Sequence, residues 1–103
     1  MPNVEESLKE AMTITGSVGA ALVDFGSGMT LGTAGGEVIN LDVAAAGNTE
    51  VIRAKLKTMQ SLGLNDEIED ILITLGSQIH LIRLLSKHKG LFCLLYTSDA
   101  ADE

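Results

Sequence analysis

The segment Val18–Val23 constrains the fold most, because every one of its side chains is apolar or absent. With the two-residue period of a β-strand, alternate residues point to opposite faces, so both faces of this strand are apolar. A strand that is apolar on both faces is covered on both faces. The sequence therefore predicts a sheet with other layers packed on each side of it.

Turn signals and periodicity place this strand in a hairpin that follows a helix. Val4 and the apolar residues after it recur at helical spacing, and Asn3 and Glu6 have the spacing of a capping box, which predicts a first helix from Asn3 to Ile14. A strand over Ser17–Phe25 then turns through Gly26–Gly28 and returns as a second strand over Met29–Thr33.

The longest regular element is a helix predicted over Leu41–Leu62. Asp42 is the expected N-cap and Gly63 the expected C-cap glycine. The early stretch Ala44–Gly47 offers almost no side chain, and a glycine inside a helix costs about 1 kcal/mol relative to alanine. Such a stretch permits close approach of another backbone, either the protein's own sheet or another subunit.

Three further strand signals follow this helix. They cover Glu67–Leu75, Gln78–Leu85 and a segment that begins at Leu91 and Phe92. Strands linked by hairpins on either side of one long helix predict an α+β fold, a five-stranded antiparallel sheet flanked by helices. The predicted order is helix-strand-strand-helix-strand-strand-strand, in one domain over residues 1–92.

Composition excludes several classes of function. Fourteen acidic against seven basic residues give a formal charge of −7, and only three residues are aromatic, so a nucleic-acid footprint and an anionic membrane surface are both disfavoured. No apolar run approaches the ~20 residues of a membrane span, and no secretory leader is visible at the N-terminus. With a single cysteine, we expect a cytoplasmic protein without an internal disulfide.

The last eleven residues, Cys93–Glu103, resemble the in-frame translation of a transposon-end adaptor used to prepare sequencing libraries. We interpret them as a non-native tail that interrupts the strand begun at Leu91, and we leave them out of the predicted fold. Without the three acids of this tail the formal charge becomes −4.

No catalytic, metal or cofactor site is evident. His80 and His88 have no cysteine or carboxylate at ligand spacing, and we expect His80 to be a partly buried strand residue with one hydrogen-bonded nitrogen. A hydrolase triad of Ser17 or Ser27 with His80 and Asp24 has no supporting motif. The glycines of the first hairpin precede a strand, not the helix that a phosphate site requires.

Several local strings and their order resemble one family, the stand-alone bacterial members of the Roadblock (dynein light chain) family. The strings that carry the resemblance are Gly16–Asp24, Gly26–Gly28, Ala44–Lys55, Glu69–Leu75 and His80–Arg83. In that family a C-terminal helix follows the last strand, and here the adaptor-like tail stands in its place.

The resemblance implies a homodimer in which two sheets join edge to edge and the two long helices pack antiparallel. Transferred to this chain, the implied dimer interface consists of Ala44, Gly47, Asn48, Val51, Lys55, Asp70, Ile71, Leu72, Ile73, Thr74 and Leu75.

The resemblance also implies a non-catalytic adaptor that binds, and in some members stimulates, a Ras-like small GTPase or serves an associated sensor-kinase system. No cofactor, nucleic acid or membrane insertion is expected. Two alternatives remain open: a small-ligand-sensing or general scaffold domain of a signalling complex, with a pocket between helix and sheet, and a small hydrolase that depends on His80.

Overall fold

The computed structural model describes residues 4–37 and 39–98, apart from the side chain of Val4. Seven elements follow one another in the predicted order. They are α1 (Val4–Met12), β1 (Ser17–Asp24), β2 (Met29–Gly35), α2 (Leu41–Ser61), β3 (Asp70–Thr74), β4 (Gln78–Leu84) and β5 (Leu91–Ser98).

The five strands form one antiparallel sheet in the order β2-β1-β5-β4-β3. The last strand in sequence is therefore the central strand in space, and β2 and β3 are the two edges. The predicted α+β class, strand number and element order are confirmed.

The two helices pack on opposite faces of the sheet. Ala21 and Val23 of β1 belong to one buried cluster with Ala45 and Ile52 of α2. On the other face of β1, Ala20 and Leu22 are also buried, and α1 contacts β1 and β2 there. The expectation that this strand is covered on both sides is confirmed.

The main core lies between α2 and the middle of the sheet. Its largest fully buried side chains are apolar except for one threonine: Phe92, Ile52, Ile82, Leu94, Val23 and Thr49. The buried Thr49 hydroxyl donates to the Ala45 carbonyl 2.7 Å away. A buried polar group that is hydrogen-bonded in this way avoids the cost of an unpaired one.

The first hairpin is closed by its own side chains and then tied to α2. Ser27 Oγ donates to Asp24 Oδ2 at 2.7 Å, and Gly28 N–H donates to the Asp24 carbonyl at 2.7 Å. Arg53 of α2 donates to the carbonyls of Phe25 and Gly26 at 3.3 and 3.1 Å. The Gly26–Gly28 stretch is therefore a structural turn, as its position before a strand predicts.

The caps of α2 differ from prediction at one end. Asn40, not Asp42, is the N-cap, because its Oδ1 accepts from the backbone N–H groups of both Asp42 and Val43 at 3.1 Å. Asp42 instead lies in the first turn, where a negative charge complements the helix dipole.

At the other end of α2, Leu62 is the C-cap and Gly63 follows it at φ +70°. Gly63 N–H donates to the Gln60 carbonyl and Leu64 N–H to the Met59 carbonyl, both at 3.0 Å. This pair of bonds is a Schellman motif, which requires the left-handed conformation that glycine adopts without strain. The prediction that Gly63 ends the helix is confirmed.

Several other boundaries differ by one to three residues, and β1, α2, β3 and β4 each end one residue earlier than predicted. The first helix ends at Met12 before a short turn, and the capping residue predicted for it, Asn3, lies outside the described residues. The second strand extends to Gly35, and the third begins only at Asp70, because before it only the Glu69 carbonyl bonds to β4, accepting from Leu84 N–H.

The largest difference concerns β5. The prediction that the tail interrupts this strand at Phe92 is wrong, because Cys93–Ser98 continue it and pair with both β1 and β4. Leu94 and Tyr96 are buried on the same face as Phe92. The alternation of buried and half-buried residues is therefore continuous across the boundary at which we expected a break.

No helix within the described residues is both long and apolar enough to cross a membrane.

Candidate interaction surface

The edge of the sheet formed by β3 has free backbone hydrogen-bonding groups. Leu84 N–H donates to the Glu69 carbonyl, and Leu75 N–H donates to the Gln78 carbonyl. In an antiparallel pair of strands every second residue exchanges backbone hydrogen bonds with the neighbouring strand. Because Glu69 and Leu75 bond to β4, the odd-numbered residues between them, Ile71 and Ile73, also bond to β4. The N–H and C=O groups of the even residues, Asp70, Leu72 and Thr74, therefore point away from the sheet.

This edge is also regular. All five residues of β3 pair with β4 without a bulge, and the strand contains no proline or lysine. The opposite edge differs, because the β1–β2 register shifts between Leu22 and Val23 and leaves a bulge at Leu31 on β2. Bulges, prolines and lysines are devices that protect an edge from pairing with another chain. Within the described sheet, β3 is therefore the edge that is better suited to extension.

One side of α2 faces the same edge of the sheet. Val51 is 40% exposed, and Lys55 is exposed. These two residues and Glu67–Ile71 line an open groove of about 650 Å³ between the helix and β3. The structure therefore places Val51 and Lys55 of the predicted interface beside its strand component.

The small residues Ala44–Gly47 of α2 lie in two different environments, the protein's own core and the solvent-exposed surface. Ala45 is fully buried, Ala44 packs at the border of the core, and Ala46 lies next to Gly28 of the hairpin turn. Gly47 is exposed, and a Cβ atom built on it would have no neighbour within 4 Å. The alanines thus account for close approach to the protein's own sheet, and Gly47 is open to an approach from outside.

Asn48 is the predicted interface residue whose side chain turns inward. It is 7% exposed, and its Nδ2 donates to the Ala44 carbonyl at 2.9 Å and to the Tyr96 hydroxyl. Its side chain is therefore held by the sheet of its own protomer, and any contact that it makes with a second chain involves its remaining exposed surface.

Tyr96 connects Asn48 to His80. The rings of Tyr96 and His80 lie at directly paired positions of β5 and β4 and stack with their centroids 3.5 Å apart. His80 Nε2 also contacts Gln78 Oε1 at 2.8 Å. Burial lowers the pKa of His80. The interpretation of His80 as a partly buried strand residue with one satisfied nitrogen is confirmed.

Sequence reasoning missed this cluster for a definite reason. Tyr96 falls in the tail that was left out of the fold, and the strand pairing that brings His80 against it depends on that tail. The alternation of Phe92, Leu94 and Tyr96 was the signal that could have found it.

An ion pair joins the β3 edge to the next strand, β4. Arg83 Nε and Nη2 donate to the two carboxylate oxygens of Asp70 at 2.8 and 3.1 Å. The side-chain hydrogen bond with Arg83 lowers the pKa of Asp70. Both side chains are exposed, so the contact orients Asp70 along the sheet face more than it stabilises the fold.

The residues of the hydrolase alternative are not brought together. Ser17 Oγ donates to the Ala11 carbonyl at 2.9 Å, and Ser27 bonds to Asp24 at the hairpin turn. His80 lies at the end of the sheet opposite Asp24 and Ser27, and it is separated from β1 by Tyr96 of β5, which pairs with Gly19. Over residues 4–37 and 39–98, no group of three potential metal ligands lies together.

No protein-family model matches the chain, and no curated protein matches it. Solved structures do match. The Roadblock/LC7 domain from Streptomyces avermitilis superposes with a TM-score of 0.80 at 11% identity, over 96% of this chain and 81% of that one. The chain has the Roadblock/LC7 fold.

Two further Roadblock-like structures agree with this. The gliding protein MglB from Thermus thermophilus has a TM-score of 0.74 at 17% identity, over 91% of this chain and 70% of that one. An MglB structure with a tetrameric arrangement has the same TM-score and identity, over 91% of this chain and 69% of that one. At such identities the likeness establishes only the Roadblock/LC7 fold. The function has to be inferred from the surfaces of this chain.

Proposed function

We propose that the protein is a non-catalytic homodimeric adaptor that binds a Ras-like small GTPase. The observation that carries the self-association is the regular edge of β3, which has no bulge, proline or lysine and whose backbone groups at Asp70, Leu72 and Thr74 face outward. The resemblance of the sequence and the shared Roadblock/LC7 fold support the adaptor class.

The open edge specifies how two copies would pair. With a two-fold axis through Leu72, the Leu72 backbone groups of the two copies bond to each other, and Asp70 of each copy lies opposite Thr74 of the other. This register uses every outward-facing group of the strand. It also places the two Asp70 carboxylates at opposite ends of the junction, which avoids direct repulsion between like charges.

The second copy would also cover the groove beside α2. Once the two sheets are continuous, the helices lie on the same face, and the side of α2 with Gly47, Val51 and Lys55 faces its symmetry mate. The half-exposed Val51 and the open space at Gly47 favour such a contact. The MglB structure with a tetrameric arrangement is consistent with assembly of several copies of this fold.

The arginines of the structure favour a non-catalytic role toward the GTPase. Arg53 is held by Glu50 and by the carbonyls of Phe25 and Gly26, and Arg83 is held by Asp70. An arginine finger needs a side chain that is free to enter a partner's nucleotide site. Any stimulation of GTP hydrolysis would therefore act by rearranging the GTPase.

The experiment mixes the protein with Ras-like GTPases of its host, each loaded with GDP or a non-hydrolysable GTP analogue. We expect a complex in size-exclusion chromatography with two copies of this chain, and we measure the rate of GTP hydrolysis with and without it. No complex and an unchanged rate with every GTPase would contradict the proposed partner. Arg53→Ala and Arg83→Ala variants should retain whatever stimulation is seen.

A further inference from the structure

A second cleft adjoins the groove that the second copy would cover and shares the segment 67–70 with it. It is about 510 Å³ in volume and lies between Leu56, the loop 66–70 and the β4–β5 turn. Phe25, Leu84 and Phe92 form its inner wall. This volume falls within the range of about 300–1,000 Å³ that is typical of binding pockets.

The wall of this cleft is apolar and continuous with the main core. Phe92 is 1% exposed at the centre of the sheet, and Phe25 and Leu84 pack against the same core cluster. Leu56 remains 36% exposed on the helix side. An apolar side chain that entered the cleft would therefore meet a preformed surface and remove apolar area on both partners from water.

The rim of the cleft carries an excess of negative charge. Arg83 is paired with Asp70, and Lys89 lies 4.0 Å from Glu67. Two more carboxylates on the rim, Asp66 and Glu69, form no ion pair within the described residues. The local field consequently repels anions and favours cations beside an apolar entrance.

We propose that this cleft receives an apolar side chain from a basic segment of a partner protein. The apolar wall supplies the binding energy for the anchor, and the two carboxylates outside the ion pairs select flanking lysine or arginine residues over acidic ones. This contact goes beyond the proposed self-association and GTPase binding, and it uses the side of the cleft formed by Leu56 and the β4–β5 turn, which does not line the groove of the dimer.

The test uses the full chain and short fluorescent peptides in anisotropy titrations. The probe is a lysine-rich peptide with one central phenylalanine. Its controls are the same peptide with alanine in place of phenylalanine, and a peptide with glutamate in place of every lysine. We expect the alanine peptide to bind at least about tenfold more weakly, because an apolar anchor contributes that much when it is buried. The glutamate peptide should not bind.

Two matched variants of the protein distinguish binding in the cleft from nonspecific electrostatic attraction of a basic peptide to an acidic chain. Asp66→Lys changes the rim at an exposed loop residue, and Glu37→Lys makes the same change of charge at an exposed residue before α2, away from the cleft. We expect Asp66→Lys to weaken the phenylalanine peptide several-fold more than Glu37→Lys does, with a difference that shrinks as salt is added.

Three outcomes would overturn the proposal: no binding of the phenylalanine peptide, equal binding of the phenylalanine and alanine peptides, or equal effects of the two charge reversals. Sedimentation of the same samples reports self-association separately, so failure of the cleft and failure of the dimer are distinguishable.

Discussion

Asn48 is the one asparagine in the buried part of α2, and its side chain bridges the helix to the central strand. Because a buried polar group is costly when it loses its partner, this single residue couples the position of the helix to that of Tyr96. The contact is a long-range one, between residues 48 positions apart in the chain.

Replacement of Asn48 by alanine should lower the free energy of unfolding by about 1–3 kcal/mol, because the Tyr96 hydroxyl then lacks a partner in a buried site. Gln60→Ala, at an exposed position of the same helix, should change it by less than about 0.5 kcal/mol. Urea unfolding at one fixed protein concentration measures both. Equal effects of the two substitutions would contradict the structural role of Asn48.

His80 should make stability depend on pH in mildly acidic solution. Its pKa is lowered in the folded state, so near and below the ordinary histidine pKa of about 6.5 the unfolded chain binds more protons than the folded chain. Stability should therefore fall as the pH is lowered from 7 through this window. In His80→Gln the decline should be shallower, as measured by urea unfolding at a series of pH values. An unchanged pH dependence in His80→Gln would contradict this expectation.

Residue-level prediction from sequence succeeded where one local signal decides and failed where two compete. Gly63 was identified because only a glycine readily takes its left-handed conformation. The N-cap was misassigned because Asn40 and Asp42 are both good capping residues two positions apart, and the choice depends on where the preceding chain leaves the sheet. The Tyr96–His80 stack depends on strand register, which no local pattern gives.

At the scale of elements, the open edge of β3 is the feature on which self-association depends. The strand is only five residues long, but its regular pairing with β4 keeps three consecutive outward positions available. Its side chains alternate between the α2 face and the open face, so a second strand would extend both layers.

Leu72→Pro should abolish self-association without unfolding the protomer. Proline removes the N–H at the centre of the edge, and that N–H does not bond to β4. Leu72→Thr is the matched control, because it removes the same exposed apolar side chain and keeps the N–H. Sedimentation equilibrium should give about 10.8 kDa for the proline variant and twice that mass for the control. A dimeric proline variant that retains the native circular dichroism would contradict the edge contact.

The central strand should also prove necessary for folding. A chain that ends at Phe92 lacks most of the residues through which β5 pairs with β1 and β4, and it leaves Ala21 and Ile82 without Leu94, the buried residue that both pair with. We expect this chain to lack a cooperative thermal transition, whereas a chain that ends at Ser98 should keep one near that of the full chain. Circular dichroism melts of both would decide, and a folded 1–92 chain would contradict the topology.

Most elements could be predicted because their patterns are long and strongly periodic. Helix α2, the β1–β2 hairpin and the β3–β4 hairpin each have turn signals at both ends. Strand β5 could not be predicted in full once its second half was assigned to a foreign tail. Its residues nevertheless alternate apolar side chains into the core, so a strand forms there whatever the origin of the sequence.

At the scale of the whole molecule, one face of the sheet is only half covered. Helix α1 packs over β1 and β2, while Leu72 and Ile79 on the same face of β3 and β4 are 63% and 44% exposed.

We also propose that residues 93–103 derive from a sequencing adaptor and that the native gene encodes another β5 with the same alternation. Sequencing the locus from chromosomal DNA tests this, and a genomic copy that encodes Cys93–Glu103 would refute it.

The candidate interface as a whole could be predicted from the sequence only through the family resemblance, since no residue pattern by itself identifies a free sheet edge. The structure adds the physical reason, which is the contrast between the bulged edge of β2 and the regular edge of β3. It also shows that Asn48, although implied by the resemblance, serves the protomer's own core.

The most direct test of the account is an isotope-filtered NMR measurement on an equal mixture of labelled and unlabelled chains. If two copies join through β3 around Leu72, the Hα atoms of Ile71 in one copy and Ile73 in the other lie face to face at a non-hydrogen-bonded pair. Such a dimer should give an intermolecular NOE between these two atoms. A sample at high micromolar concentration that gives no such NOE, or gives intermolecular NOEs only from another surface, would contradict it.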